Sequence, residues 1–135
     1  MSRRIESQKT AIRCKPEKVF NFLGNFDHFE ALLPEQVTNW ISTGDSCSFD
    51  VKGLASLGFR ITSKIPYSKI CMAGEGKLPF NFTFDTNIEE TAAGQCIVQA
   101  VINSDMSHFI AIMAEKPLQN FIDQIVVKLK EEMEK

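Results

Sequence analysis

The sequence predicts an α+β fold in which a curved antiparallel sheet of about seven strands wraps around a long C-terminal helix, with two short helices after the first strand. Three observations lead there. Between Val37 and Asn103, apolar residues recur at every second position in short segments separated by turn residues, the pattern of strands buried on one face. Ahead of that block, Pro16 to Leu33 holds two short stretches with helical spacing, and behind it Ser107 to Glu134 reads as one long helix. Successive strands with short connections pair antiparallel, and one apolar face per strand must cover something. The last helix is the element large enough to fill the hollow.

Taken in order, Arg4 to Cys14 alternates weakly and suits a strand exposed on one side. Pro16 is placed for the first turn of a helix, where its missing N–H costs nothing, and Glu17 complements the positive helix terminus. Val19, Phe20, Phe22 and Leu23 supply the buried side, and Gly24 ends the helix. Asp27 is the expected cap of a second helix through Leu33, stopped by Pro34. Cys47, Phe49 and Val51 then alternate with polar residues, as do Ala55, Leu57, Phe59 and Ile61, with a turn at Gly53 between them. Ile65-Pro66-Tyr67-Ser68 breaks the pattern, and Ile70 and Met72 resume it before the hairpin Gly74-Glu75-Gly76. Phe80, Phe82 and Phe84 lead on to Ile88, and a turn at Ala92-Ala93-Gly94 introduces the strand Cys96 to Asn103. Ser107 is the expected N-cap of the long helix, and Pro117 inside it predicts a kink dividing the helix in two. Its second half carries Leu118, Phe121, Ile122, Ile125, Val126 and Leu129 on one face, whereas in the first half Phe109, Ile110, Ile112, Met113 and Ala114 come almost in a run. One half packs; the other is expected to line something.

Composition narrows the function. A chain of 135 residues, 44 % hydrophobic and 24 % charged, is expected to fold as a single domain over 1–135. A net charge of −2 gives no electrostatic basis for nucleic-acid binding, and the short Ser2-Arg3-Arg4 cluster reads as a solvated terminus. Cys14, Cys47, Cys71 and Cys96 form no C-x-x-C pair and have no histidine at ligand spacing, so no metal site is expected. With no secretory apolar region after Met1 and no run long enough for a membrane span, the expectation is a cytoplasmic protein with reduced thiols and no integral membrane segment.

Pro16-Glu17-Lys18-Val19-Phe20-Asn21-Phe22-Leu23, followed by Asn25-Phe26-Asp27 and Leu33-Pro34, resembles the helix-grip fold of the START / birch-pollen-allergen-like superfamily, also called SRPBCC or polyketide cyclase/dehydrase-like. The terminal segment Glu115-Lys116-Pro117-Leu118-Gln119-Asn120-Phe121 is similar to that of small uncharacterised bacterial members, and the resemblance spans essentially the whole chain. It implies a tunnel between sheet and helix that holds a lipid, sterol, hormone, quinone or polyketide, with catalysis there in a minority of members. Fold alone does not choose among these.

The residues set the physical terms. Phe49, Leu57, Phe59, Phe80, Phe82 and Phe84 are expected to face inward, and Trp40, Met72, Phe109 and Met113 join them as the expected cavity wall. Burying each large apolar side chain is worth about 1.5–3 kcal/mol, so the eleven phenylalanines could fill the interior by themselves. An empty apolar void of roughly 300 Å³ would cost about 7 kcal/mol at ~24 cal/mol per Å³, comparable with the net stability of a domain. Either the rings fill this space or a ligand does. The leading expectation is carriage of a small hydrophobic molecule of the lipid, quinone or isoprenoid class, without cofactor or catalytic residue. The alternatives are a cyclase- or hydrolase-like enzyme acting in that cavity, and a protein-interaction module with a filled core and an exposed patch at Phe26 and Phe29, its protein partner unknown. His28 and His108 form no triad with an acid at defined spacing, His108 reads as surface or capping, and Arg60 falls on the polar phase of its strand. Asn39, Arg60 and Tyr67 are the polar residues considered for a ligand head group.

Overall fold

The computed structural model describes residues 3–33, 35, 37–51, 55–75 and 80–135, and within them the period-two segments form one antiparallel sheet. Its strands are β1 (Arg3–Glu6), β2 (Thr10–Ile12), β3 (Val37–Ser42), β4 (Ser46–Val51), β5 (Ala55–Ile65), β6 (Lys69–Glu75), β7 (Phe82–Ala92) and β8 (Gln95–Ser104). The helices are α1 (Pro16–Leu23), α2 (Phe26–Phe29), which runs into a 3-10 turn at Glu30–Leu32, and α3 (His108–Met133). The sheet order is β1-β8-β7-β6-β5-β4-β3, with β2 also on β8. The architecture is the expected α+β sheet around a long terminal helix, with eight strands among the described residues rather than about seven. The expected turn at Gly53, the stop at Pro34, Gly76 of the hairpin and Ser2 lie outside the described residues.

The extra strand comes from Ser7. Its backbone N–H donates to Ala100 O at 2.8 Å and its Oγ accepts the Ala100 N–H at 2.8 Å, so a side chain replaces a ladder partner and splits the expected first strand into β1 and β2. The second helix is also capped two residues earlier than expected. Asn25 Oδ1, not Asp27, accepts the Asp27 N–H at 2.9 Å, because Asn25 is the residue with extended backbone ahead of the first helical N–H groups.

Ser107 caps α3 as expected, its Oγ accepting the Ile110 N–H at 3.2 Å. The helix passes through Pro117 as one element. It packs over β1, β2, β8 and the 3-10 turn. Polar ties hold it along its length: Gln119 Nε2 donates to Glu6 O at 2.7 Å, Asp123 Oδ1 accepts the Gln8 N–H at 3.2 Å, and Lys128 Nζ donates to Leu33 O at 2.6 Å. At its end Glu134 Oε2 accepts the Arg13 N–H at 2.9 Å, and its carboxyl is held below the usual range, first by the Lys130 side chain. No described helix is long and apolar enough to cross a membrane.

At the other edge of the sheet, β3 is irregular. Register slips between Thr38, opposite Asp50, and Ile41, opposite Ser48, so that Asn39 and Trp40 together face Phe49. Asn39 takes φ 58°, a left-handed conformation that asparagine tolerates better than most, and its Nδ2 donates to Asp50 Oδ2 at 2.6 Å. This bulge turns Trp40 onto the aromatic interior and interrupts a free edge that would otherwise template pairing with another chain.

Candidate functional site

The inner face of the sheet is an aromatic wall. Trp40 stacks on Phe49 with centroids 5.5 Å apart, Phe49 meets Phe59 at 5.5 Å, and Phe59 meets Phe84 at 5.1 Å and Phe82 at 5.7 Å. Phe80 continues the series from Phe82 at 5.9 Å. From α3, Phe121 reaches into the same cluster, 5.6 Å from Phe49, 6.3 Å from Phe59 and 6.5 Å from Phe84. Leu57 and Met72 are buried on the same face. Eight of the ten residues expected to line the interior are therefore brought together, and where Phe121 stands their rings touch across the space between sheet and helix.

Phe109 and Met113 do not join them. They are 71 % and 65 % exposed, and Ile112 between them is 70 % exposed. Helical phase explains the correction: at about 100° per residue, the buried face set by Leu118, Phe121 and Ile125 runs back through Ala114 and Ala111, leaving Phe109 and Met113 on the opposite side. The inner side of the first two turns thus presents Ala111 and Ala114, with Ile110 partly buried beside them, a feature that hydrophobicity alone does not single out. Phe26 and Phe29, considered as an exposed patch, are instead fully buried and pack on Trp40 at 6.2 and 6.1 Å. Among the described residues the most exposed large apolar side chains are Phe109, Ile112 and Met113 of α3.

The alanine half of α3 starts at one end of the sheet. Phe82 pairs with Ser104, three residues before the Ser107 cap. A carboxylate fastens this corner: Asp105 accepts the Asn81 backbone N–H at 2.7 Å and the Asn81 Nδ2 at 3.2 Å, while the Asp105 N–H donates to Asn81 O at 3.1 Å. The Asn81 N–H, the largest of several causes, holds the Asp105 carboxyl below its usual range. Beside it the Phe82 ring lies over Gly74, where a Cβ would approach the ring to 2.2 Å, so a glycine is needed for the ring to rest on the sheet.

Polar chemistry within this interior is sparse. The buried polar or charged residues described are Ser7, Thr86 and Ser104; Ser7 serves the backbone as above, and Ser104 Oγ accepts the Met106 N–H at 3.3 Å. Burial pushes the Cys47 thiol up to about 12, and desolvation also raises Cys71 and Cys96, so these are thiols rather than thiolates. All four cysteines are free. His28 stacks on Phe22 at 5.2 Å and His108 Nδ1 shares a 2.9 Å hydrogen bond with Arg3, both at the surface. Asn39, Arg60 and Tyr67 are likewise exposed, Arg60 lying 4.0 Å from Glu75. Among the described residues no three His, Cys, Asp or Glu side chains converge on a point that could hold a metal. One buried side-chain polar atom stands without a partner among the described residues, the indole Nε1 of Trp40.

Two described clefts lie away from the aromatic wall. One of about 310 Å³ crosses the sheet through the paired row Ile41, Ser48, Gly58 and Glu75, on the phase opposite Phe49 and Phe59. The other, about 390 Å³, is bounded by Lys15, Glu17, Tyr67 and Glu90 at the sheet end remote from the start of α3. Tyr67 there has φ 64°, in a turn closed by the Ser68 N–H to Ile65 O at 3.0 Å, a position that usually takes glycine.

No protein-family model matches the sequence, and no curated protein sequence matches it. Solved structures do. The Aha1 dimer from Colwellia psychrerythraea is 20 % identical, covering 98 % of this chain and 96 % of that one with a TM-score of 0.69. A START superfamily protein from Mycobacterium smegmatis is 10 % identical over 97 % of each chain with a TM-score of 0.70. A norcoclaurine synthase from Thalictrum, a point mutant in complex with a transition-state analogue, is 10 % identical over 98 % of this chain and 94 % of that one with a TM-score of 0.75. At these identities the likeness is one of fold, and it agrees with the sheet order and the terminal helix: the chain has a helix-grip fold.

Proposed function

We propose that this protein binds a small, neutral hydrophobic molecule of the lipid, quinone or isoprenoid class between the sheet and the first two turns of α3. The observation that carries the reading is the change along the inner face of that helix. From Leu118 onward it presents large side chains that reach the sheet, whereas Ala111 and Ala114 present a methyl group each. At the end of the sheet where α3 begins stand Phe80 and Phe82, the last rings of the wall. Without ligand these rings occupy the space, which avoids the cost of a large dry void; swinging one aside opens room lined by aromatic faces. A buried surface without carboxylate or histidine suits carriage better than proton transfer, and the cyclase- or hydrolase-like alternative lacks a group in the described interior to serve as acid or base.

The test uses the neutral fluorophore N-phenyl-1-naphthylamine with the full chain. Saturable enhancement at one site, with micromolar affinity, is the expected result, together with an apolar molecule in solvent extracts of the purified protein. Absence of both removes the reading.

A second reading is favoured by the stripe Phe109, Ile112 and Met113. Three large apolar side chains at helical spacing, each 65–71 % exposed, are more than scattered surface hydrophobes. In this reading the outer face of α3 meets another protein surface, as in a dimer; the similar Colwellia structure is described as one. Because the stripe faces away from the interior, the double change Phe109→Asp, Met113→Asp is expected to leave fluorophore uptake within about twofold while abolishing any concentration-dependent rise in sedimentation coefficient. A strictly monomeric wild-type protein, or loss of uptake in the folded double variant, contradicts this division of labour between the two faces of the helix.

A further inference from the structure

We propose that the ligand carries a neutral hydrogen-bond acceptor, a ketone, quinone or ester oxygen, and that Trp40 Nε1 is the donor that receives it. The inference rests on the ligand-binding reading above and deepens it. Trp40 packs against Phe29 at 6.1 Å, Phe49 at 5.5 Å and Phe26 at 6.2 Å, and its Nε1 is buried with no hydrogen-bond partner among the described residues. An indole N–H taken from water without a replacement partner is costly, and a phenylalanine here would keep the stacking without that cost. The chain nevertheless places its one tryptophan at this point, and it spends a bulge with a left-handed Asn39 to aim it there. A ligand acceptor repairs the deficit.

Location supports the pairing. Trp40 lies opposite Phe49 in β4, next to Phe59, which leads to Phe82 and the corner where α3 begins. The donor therefore stands in one continuous series of rings with Phe82, which lies at the corner where α3 begins. The charge of the ligand follows from what surrounds it. No Lys or Arg is buried among the described residues, so a carboxylate or phosphate entering this wall would lose its hydration without gaining a counter-ion. A hydrocarbon, conversely, would leave the N–H unpaired. The chemistry that fits both constraints is an apolar body with a neutral carbonyl.

Three matched probes read this out in the full-length protein: 2-acetonaphthone, its near-isostere 2-isopropylnaphthalene, and 2-naphthoate. The ketone is expected to bind about 5–10-fold more tightly than the hydrocarbon, with the anion weakest, the range a neutral hydrogen bond supplies. Trp40→Phe should erase the preference by weakening the ketone alone. In the wild-type protein the single indole N–H resonance should move downfield with the ketone and not with the hydrocarbon, a signature that needs no variant to fold. A ketone preference that survives in Trp40→Phe, an indole resonance that responds equally to both neutral probes, or tightest binding by the naphthoate overturns the assignment while leaving hydrophobic binding in place. Failure of all three probes to bind overturns the ligand-binding reading itself and this inference with it.

Discussion

Replacing Phe121 with alanine is expected to destabilise the protein by about 3–5 kcal/mol, the largest single effect at the site, seen as a fall of roughly 2 M in the urea midpoint. Phe121 is 1 % exposed and is the α3 side chain whose ring contacts Phe49, Phe59 and Phe84 together. Its removal takes away the transfer free energy of a ring and several aromatic contacts worth about 0.5–1.5 kcal/mol each, and it leaves a hole that stacked neighbours on a sheet cannot close by sliding. The same substitution should create an apolar cavity able to hold a small aromatic, because a dry hole lined by rings binds apolar guests. Benzene should therefore raise the urea midpoint of the variant and not that of the wild type. A loss below about 1.5 kcal/mol would mean that the helix is held to the sheet elsewhere, by the polar ties to Glu6, Gln8 and Leu33.

The sheet was legible because its residues obey a period that neighbouring strands share. Alternation alone predicts Phe80, Phe82 and Phe84 inward, and all three are buried, Phe84 against Phe121 of the helix. The interruption at Ser7 was not legible, since nothing in a local pattern reveals that a serine hydroxyl will accept the Ala100 N–H from another strand. Nor was the bulge at Asn39, whose partner Asp50 is reached only when two strands align. The first half of α3 misleads for a different reason. The size and apolarity of Phe109 and Met113 point to the cavity, although the face defined by Leu118, Phe121 and Ile125, continued backward in steps of three and four, passes through Ala114 and Ala111. Phase outranks hydrophobicity on a helix with two apolar sides. The unpaired Trp40 nitrogen lies beyond any sequence reading, because it is defined by the partners that surround it.

The alanine face leads to the decisive functional substitution. Ala114→Leu should weaken uptake of N-phenyl-1-naphthylamine by more than tenfold. Three added carbons projecting from α3 toward the rim of the wall compete with the ligand for the same volume, and each displaced methylene equivalent forfeits about 0.8 kcal/mol of burial, so two of them exceed the ~1.4 kcal/mol that a tenfold change requires. The folded state should tolerate the change at a cost of about 1–3 kcal/mol for overpacking, less than the loss from Phe121→Ala, since the crowded rings of Phe80 and Phe82 stand at a rim and can turn outward. Turning is also what ligand entry demands of them, so the variant should resemble a permanently occupied protein. Met113→Leu, one residue away on the exposed side, alters a side chain of similar volume in solvent and should leave uptake unchanged. If Ala114→Leu remains folded and takes up the fluorophore with wild-type affinity, the space beside the first turns of α3 is not where the ligand goes. Opposite responses at adjacent positions would separate a binding face from a docking face on a single helix, a distinction that the hydrophobicity of the segment conceals and its phase reveals.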